Sequence, residues 1–393
     1  MSKIGLSALQ SIALSHGIRC VGVLSENPLL DCSMQRLELW QQSGGAAGLT
    51  YMQRPAEQYT DWQRFLSGSR SIVCFIGEYS KQPVGETPRG YGRVARYAWG
   101  KDYHKVFSKI LKKVVSEVED ELSTKVNARI FSDSIPLLER QVARQAGFGF
   151  YGKNTMLIKP GLGSLFLLAE VVWDLDVEQS SLPILDPGSC GSCTRCQSSC
   201  PTGALDKNYY LDSKKCISYL TIEKRGHLNR VERSSLGEWL FGCDICQEVC
   251  PFNHKELKAG RTPELEAFTL EKGSGPFLSI LEILRIRDDQ EYLKRFAGTP
   301  LMRAKRSGLL RNACCVTANL GFVEAIADLE RNAISYDCEV VRLGALSALF
   351  EFTHQWGAFS NRKLRSILQK AKMQEEVPFV IGAIDDMLLE CVG

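Results

Sequence analysis

The chain has 393 residues, with 48 Lys and Arg against 45 Asp and Glu for a formal net charge of +3, 44% hydrophobic residues and 15 cysteines. It is longer than one average domain and apolar enough for real cores, so two or three domains are expected, and the small positive charge permits an anionic partner without demanding one. The odd cysteine count, an N-terminus (MSKIGLSALQSIALSHGIRC) without a clean apolar run and cleavage site, and the lack of any run of about 18 apolar residues argue against secretion and a membrane span and for a cytoplasmic chain.

Residues 1–180 mix helical pattern with short apolar runs. SIVCFIGEY (71–79), ARIFSD (128–133) and SLFLLAEVVW (164–173) cluster β-branched and aromatic residues and predict buried strands. YHKVFSKILKKVVSEVEDEL (103–122) spaces its apolar residues as one stripe of a helix. The segment reads as an α/β domain. Residues 181–260 are punctuated by Gly and Pro and so dense in cysteine that metal, rather than a hydrophobic core, must organise them. From 261 to 393 the pattern is helix after helix. RNACCVTA (311–318) and RLGALSAL (342–349) match in their small and apolar positions at an offset of 31, and IGAI (381–384) echoes LGAL (343–346), which predicts stacked HEAT-like helical repeats. An unrelated Ala/Leu-rich helical domain is the alternative.

The cysteine segment carries C-x2-C-x2-C-x3-C-P (Cys190, Cys193, Cys196, Cys200, Pro201), a lone Cys216, and C-x2-C-x3-C-P (Cys243, Cys246, Cys250, Pro251). This is the grammar of a two-cluster bacterial ferredoxin, in which three cysteines of each run hold one cluster and the fourth, before proline, crosses to the other. On that rule Cys190, Cys193, Cys196 and Cys250 bind one [4Fe–4S] cluster, and Cys200, Cys216, Cys243 and Cys246 bind the second. Leu240 stands where an uninterrupted second run would have its first cysteine, so Cys216 supplies that ligand from across an insertion. Structural zinc leaves the x3-C-P endings unexplained, and a disulfide framework suits short secreted chains. Cys20, Cys32, Cys74, Cys314, Cys315, Cys338 and Cys391 lack ligand spacing and read as buried small hydrophobes.

RYAWGKDYH (96–104), FSDSIPLLERQVARQAGFGFYGKNTMLI (131–158), CGSCTRCQSSCPTGAL (190–205), CISYLT (216–221) and FGCDICQEVCPFN (241–253), in that order, together resemble the epoxyqueuosine reductase family. The resemblance implies a cobalamin-dependent iron–sulfur oxidoreductase, related in its core to reductive dehalogenases, that reduces epoxyqueuosine to queuosine at the wobble position of tRNA. It also implies three parts: a cobalamin-binding α/β domain (1–180), a ferredoxin-like insert with two [4Fe–4S] clusters (181–260) and an all-α repeat domain (261–393). A D-x-H-x-x-G cobalt-binding box is missing, because Phe107 stands where its Gly would be after Asp102 and His104. The family is similar in lacking that box and binds cobalamin base-off with no protein ligand on cobalt, so His104 is expected to pack or hydrogen-bond.

Asp133 matches the family's proton donor. Opening an epoxide creates an alkoxide, and an acid placed on that oxygen relieves the main barrier. To be protonated near neutral pH, Asp133 needs burial against the corrin and little competing positive charge. The competing reading makes Asp133 or Ser134 the cap of a helix beginning near Pro136. Further expected cofactor contacts are Tyr97, Gly242, Lys153 and Asn154, with the Gly-rich AGFGFYGKN loop (146–154) letting backbone approach the cofactor unless it is an ordinary turn, and Ser218 and Thr221, which follow the ligand Cys216 where cluster and cobalt must lie near each other. Many family members have an Arg in the loop before strand 71–79, where this chain has Tyr59, and Arg54 is the nearest substitute.

For tRNA the basic candidates are Lys224, Arg225, Arg230 and Arg233 in the insert and Arg303, Lys305, Arg306 and Arg311 at the entry to the helices, as phosphate contacts around an extruded wobble base. Each run has a solvated surface as its alternative. The implied partners are tRNA and an external single-electron donor, with the enzyme a monomer. Two other classes stay open: a cobalamin-independent ferredoxin-type electron carrier or dehydrogenase subunit, and a non-catalytic tRNA-binding scaffold.

Overall fold

The β-branched and aromatic runs become strands in the computed structural model, which describes residues 3–25, 31–178 and 188–391. The expected boundary at 180/181 and the side chain of Cys32 lie outside those residues. Contacts divide the chain into two units that interleave in sequence: Met1–Pro83, Trp99–Lys214 and Asp244–Gly273 form the first, and Val84–Ala98, Lys215–Cys243 and Ser274–Gly393 the second.

The first unit holds a four-stranded sheet in the order Arg19–Leu24, Ser71–Glu78, Phe166–Trp173, Ala128–Phe131. Helices and strands are mixed as the sequence suggested. Every neighbouring pair is antiparallel, however, so this is not the parallel sheet that strand–helix–strand crossovers build. Ile72, Cys74 and Ile76 face a core containing Trp62, Phe131, Val142, Ala143 and Phe148. On the other face a side chain at Gly77 would meet the Phe107 ring at 2.9 Å. Phe107 belongs to helix Tyr103–Leu122, which buries Phe107, Leu111, Val114 and Val118 along one stripe, each contributing roughly 1.5–3 kcal/mol. Asp102 caps that helix through the His104 N–H, and Ser123 ends it in the left-handed region.

The second unit has a three-stranded sheet with Tyr91–Val94 between Trp239–Phe241 (parallel) and Phe277–Ser279 (antiparallel). Helices then follow one another, as expected. Lys305–Asn319 and Glu339–His354 pack together at the centre of this array, and Gly308–Ala318 is buried without a break. These are the two helices that carry the 31-residue match. An ideal Cβ on Gly344 would sit 3.5 Å from Cys314 Cβ, so the small residues of the match are where the helices approach. Of the cysteines outside the ligand runs, Cys20, Cys74, Cys314, Cys315 and Cys391 are buried; Cys338, expected to be buried, is half-exposed at the start of Glu339–His354. Among the described residues no helix is long and apolar enough to cross a membrane.

Candidate active site

Asp133 lies two residues beyond strand Ala128–Phe131 in left-handed backbone conformation, φ 51°, which Asp tolerates better than most side chains. Its carboxylate is exposed and accepts a hydrogen bond from the Tyr103 hydroxyl at 2.9 Å. Its backbone N–H donates to Glu139 Oε1 at 2.5 Å. The capping alternative fails: the following helix is Glu139–Gln145, beginning three residues after Pro136, and its N-cap Leu138 has no side-chain cap. Nor is Asp133 buried by the chain itself, as the sequence reading required. The ionisable groups acting on the neighbouring Glu139 are Asp133, Glu170 and Arg140.

His104 packs and hydrogen-bonds, as expected. Its Nδ1 lies 2.8 Å from Asp102 Oδ1, and its ring stacks on Tyr103 with centroids 4.1 Å apart. The His104 side chain, bonded to Asp102, holds that carboxyl below its ordinary range. Tyr59 is buried, its hydroxyl donating to Tyr51 O and accepting from Arg54 N–H, so it staples a turn rather than facing a ligand; Arg54 is exposed.

The cysteine loops of the first unit are built around two short helices, Arg195–Ser198 and Ile245–Glu248, which pack together. Cys190 and Cys250 share an apolar cluster with Phe150, Ile158 and Phe252. Burial, then the neighbouring Cys190 and Cys250 thiols, push Cys196 up, and Cys250 is raised by burial and by Cys190 and Cys193. The four cysteines assigned to one cluster therefore act on one another, a donor set that fits iron and sulfide. Lys153 and Asn154, expected at the cofactor, are engaged with these loops. Lys153, 7% exposed, donates from Nζ to Gly191 O and Cys193 O, both at 2.9 Å, and its backbone N–H points at Cys190 Sγ. Asn154 donates to Cys246 O. The Gly-rich loop is a hairpin, Phe150–Tyr151 pairing with Leu157–Ile158, and Gly149 is required because a Cβ would lie 2.2 Å from Ile158 O.

In the second unit Tyr97, Thr221 and Gly242 come together. Thr221 Oγ1 accepts the Gly242 N–H at 2.9 Å and donates to Ile217 O. Gly242, at φ 71°, has Ala95 Cβ 2.4 Å and Tyr97 Cε1 3.7 Å from where a Cβ would be. Ser218 is half-buried on the same helix, Ile217–Ile222, whose N-cap is Cys216.

Most basic candidates have intramolecular partners. Arg303 makes a two-pronged pair with Glu223, Arg306 pairs with Asp289 and Asp337, Lys224 pairs with Glu232, and Arg225 donates to Ala304 O and Arg303 O. Arg230 and Arg233 reach Glu351. Arg311 is buried, donating to Leu220 O, Lys224 O and Gly226 O; burial pulls it down to about 10, and it is a structural residue. Lys305 is exposed with no ion-pair partner among the described residues.

Sequence reasoning passed over Tyr103, Glu139, Glu170 and Asn253. Glu170 alone had a visible signal, a carboxylate inside the apolar run SLFLLAEVVW. Asn253, fully buried, accepts the Ser164 N–H at 2.7 Å and donates to Ser164 Oγ and Gln247 O, docking helix Pro251–Ala259 onto the turn before strand Phe166–Trp173.

A family model for a 4Fe-4S double cluster binding domain matches residues 189–253, and one described as "Epoxyqueuosine reductase QueG, DUF1730" matches residues 60–134. An epoxyqueuosine reductase of Gloeobacter violaceus is 36% identical over 307 residues, spanning 78% of this chain and 93% of its own. The chain belongs to the epoxyqueuosine reductase family. Another epoxyqueuosine reductase, from Cyclobacterium marinum, is 33% identical over 289 residues, 74% of this chain and 89% of its own. An epoxyqueuosine reductase crystallised with a tRNA-Tyr epoxyqueuosine-modified stem loop matches with a TM-score of 0.86 at 26% identity, over 98% of both chains. The Bacillus subtilis epoxyqueuosine reductase, solved with its Asp catalytic loop swung out of the active site, matches at 0.82 and 27%, again over 98% of both.

Proposed function

We propose that this chain reduces epoxyqueuosine in the wobble position of tRNA to queuosine, with two [4Fe–4S] clusters and a base-off cobalamin as its redox groups. The reaction takes up two electrons and two protons, opens the epoxide, releases one water and leaves an alkene. The observation that carries the reading is Asp133, an exposed carboxyl held from two sides in the same unit as six of the eight cluster cysteines.

When bound, the clusters pass electrons singly from an external donor, and the corrinoid supplies a reducing metal centre to the epoxide carbon. Asp133 donates its proton to the epoxide oxygen as the C–O bond breaks, and Tyr103 holds its Oδ2 oxygen. Tyr97, Thr221 and Gly242 form the candidate rim of that site, with Ser218 beside them. Cys190, Cys193, Cys196 and Cys250 hold one cluster and Cys200, Cys216, Cys243 and Cys246 the other. Lys153 secures the loop of the first and sets a positive charge beside it. The functional division is reductase (1–180), ferredoxin-like insert (181–260) and HEAT-like repeats (261–393). The anticodon arm is held by Lys305, with Lys224, Arg225, Arg303 and Arg306, which have intramolecular partners, as the further candidates. The enzyme works as a cytoplasmic monomer.

The test is anaerobic turnover of epoxyqueuosine-containing tRNA by protein reconstituted with iron, sulfide and cobalamin, with the product nucleoside read by mass spectrometry. Queuosine formed by material with about eight irons per chain and corrin absorption is the expected result. Fully loaded protein that leaves the epoxide intact overturns the reading. A chain that takes up iron but never a corrinoid is instead the electron carrier.

A further inference from the structure

Two carboxyls behind Asp133 have no part in the reaction as described. Glu139, at the start of helix Glu139–Gln145, is the acceptor of the Asp133 N–H. Glu170 stands in the middle of strand Phe166–Trp173, paired across the sheet with Cys74 on one side and Phe131 on the other. It is 0% exposed, and neither of its oxygens has a hydrogen-bond partner of good geometry. Cys74 and Phe131 belong to the apolar layer that also holds Val142 and Ala143 of the Glu139 helix, so Glu170 points into the layer on which that helix rests.

A carboxylate ion cannot be kept in such a layer unpaired, and no cation among the described residues pairs with Glu170. The Asp133 charge raises Glu139, while the Glu170 carboxyl and Arg140 lower it; Glu139 and Asp133 both raise Glu170; and the buried Cys74 thiol senses Glu170, Cys20 and Glu139. We infer that Glu139 and Glu170 hold one proton between them and together form a latch that fixes the Asp133 turn, Glu139 gripping the Asp133 N–H while the shared proton keeps three adjacent carboxyls from repelling one another. Burial followed by the Asp133 charge pushes Glu139 up to about 8, and burial followed by Glu139 raises Glu170 well above the carboxylate range, in line with a proton retained at neutral pH. Loss of that proton puts a second negative charge behind Asp133 and releases the turn. Glu139 and Glu170 are thus positioning residues, acting through Asp133 rather than on the substrate.

The inference deepens the reading of Asp133 as the acid, and its test is independent of turnover. Amide hydrogen exchange is followed by mass spectrometry over residues 132–135 in the anaerobically reconstituted full chain without tRNA, with rates divided by the intrinsic rate at each pH. A one-proton latch loses at most a factor of about ten in protection per pH unit above its titration, so wild-type protection should fall by about tenfold between roughly pH 7 and pH 9. Glu170→Gln, which cannot ionise, should keep the pH 7 protection across that range. Glu139→Gln, which retains an oxygen for the Asp133 N–H, should do the same, whereas Glu139→Ala should be unprotected throughout. A wild-type ratio that does not change with pH, or Glu170→Gln retaining the wild-type pH dependence, overturns the latch. Should Glu139→Ala fail to fold, the two Gln variants decide. Failure of turnover with the pH-dependent protection intact would strike the assigned reaction and leave the latch standing.

Discussion

Asp133 is held by one side-chain and one backbone hydrogen bond, and these have separable consequences. Asp133→Asn keeps the shape but offers no acidic proton, so single-turnover rate should fall by about 10²–10⁴-fold with iron content and corrin absorption unchanged. Tyr103→Phe removes a hydrogen bond to the Asp133 carboxyl, and a loss of about tenfold in kcat with little change in KM is expected. The buried carboxyls also set the pH dependence of stability. Glu139 rises from an ordinary 4.5 to about 8 on folding, so between those values the folded chain binds more protons than the unfolded one. Stability is therefore fullest at the acid end of that window and is lost as pH rises through it. Glu170→Gln should flatten the slope in a plot of melting temperature against pH. At this scale the sequence displayed the chemistry but not the company: the position of Asp133 after a strand was legible, while the meeting of Glu139 with Glu170 depends on a helix packing onto a sheet face. Lys153 and Asn154 show the same limit, since their grip on the cysteine loops is long-range.

Secondary elements were more legible where one stripe faces one core. Helix Tyr103–Leu122 has the bounds its apolar spacing gives, and the three apolar runs are strands, because local pattern and burial agree there. Antiparallel pairing was not legible, since a strand buried on both faces reads alike in either sense. The buried helix Lys305–Asn319 hides its orientation for the same reason, and Arg311 on it resembles a phosphate contact until its three carbonyl partners are seen. Arg311→Met should destabilise the second unit by about 3 kcal/mol in urea unfolding, through unpaired buried carbonyls, and leave the salt dependence of tRNA binding unchanged. Lys305→Glu should do the reverse, weakening tRNA binding and lowering its salt slope by about one phosphate contact, with the unfolding midpoint held.

Across the whole molecule the chain passes between its two units at 83/84, 98/99, 214/215, 243/244 and 273/274. A cut at the 260/261 boundary would strip strand Tyr91–Val94 of its partner Phe277–Ser279 and Arg225 of the carbonyls it holds, so the fragment 1–260 should be insoluble on expression, as judged by fractionation against the full chain. Composition indicated more than one domain, but segments that are contiguous in sequence and bodies that are contiguous in space are different divisions of this chain.

The ammonium of Lys153, enclosed by carbonyl dipoles beside the first cysteine run, bears on damage as well as on electron flow. Iron bound by four thiolates is an anion that suits a trapped cation; four protonated thiols are not. Air oxidation that strips the iron should therefore spring the strap around residues 188–200, and limited trypsin digestion should register the injury there before any change in melting behaviour.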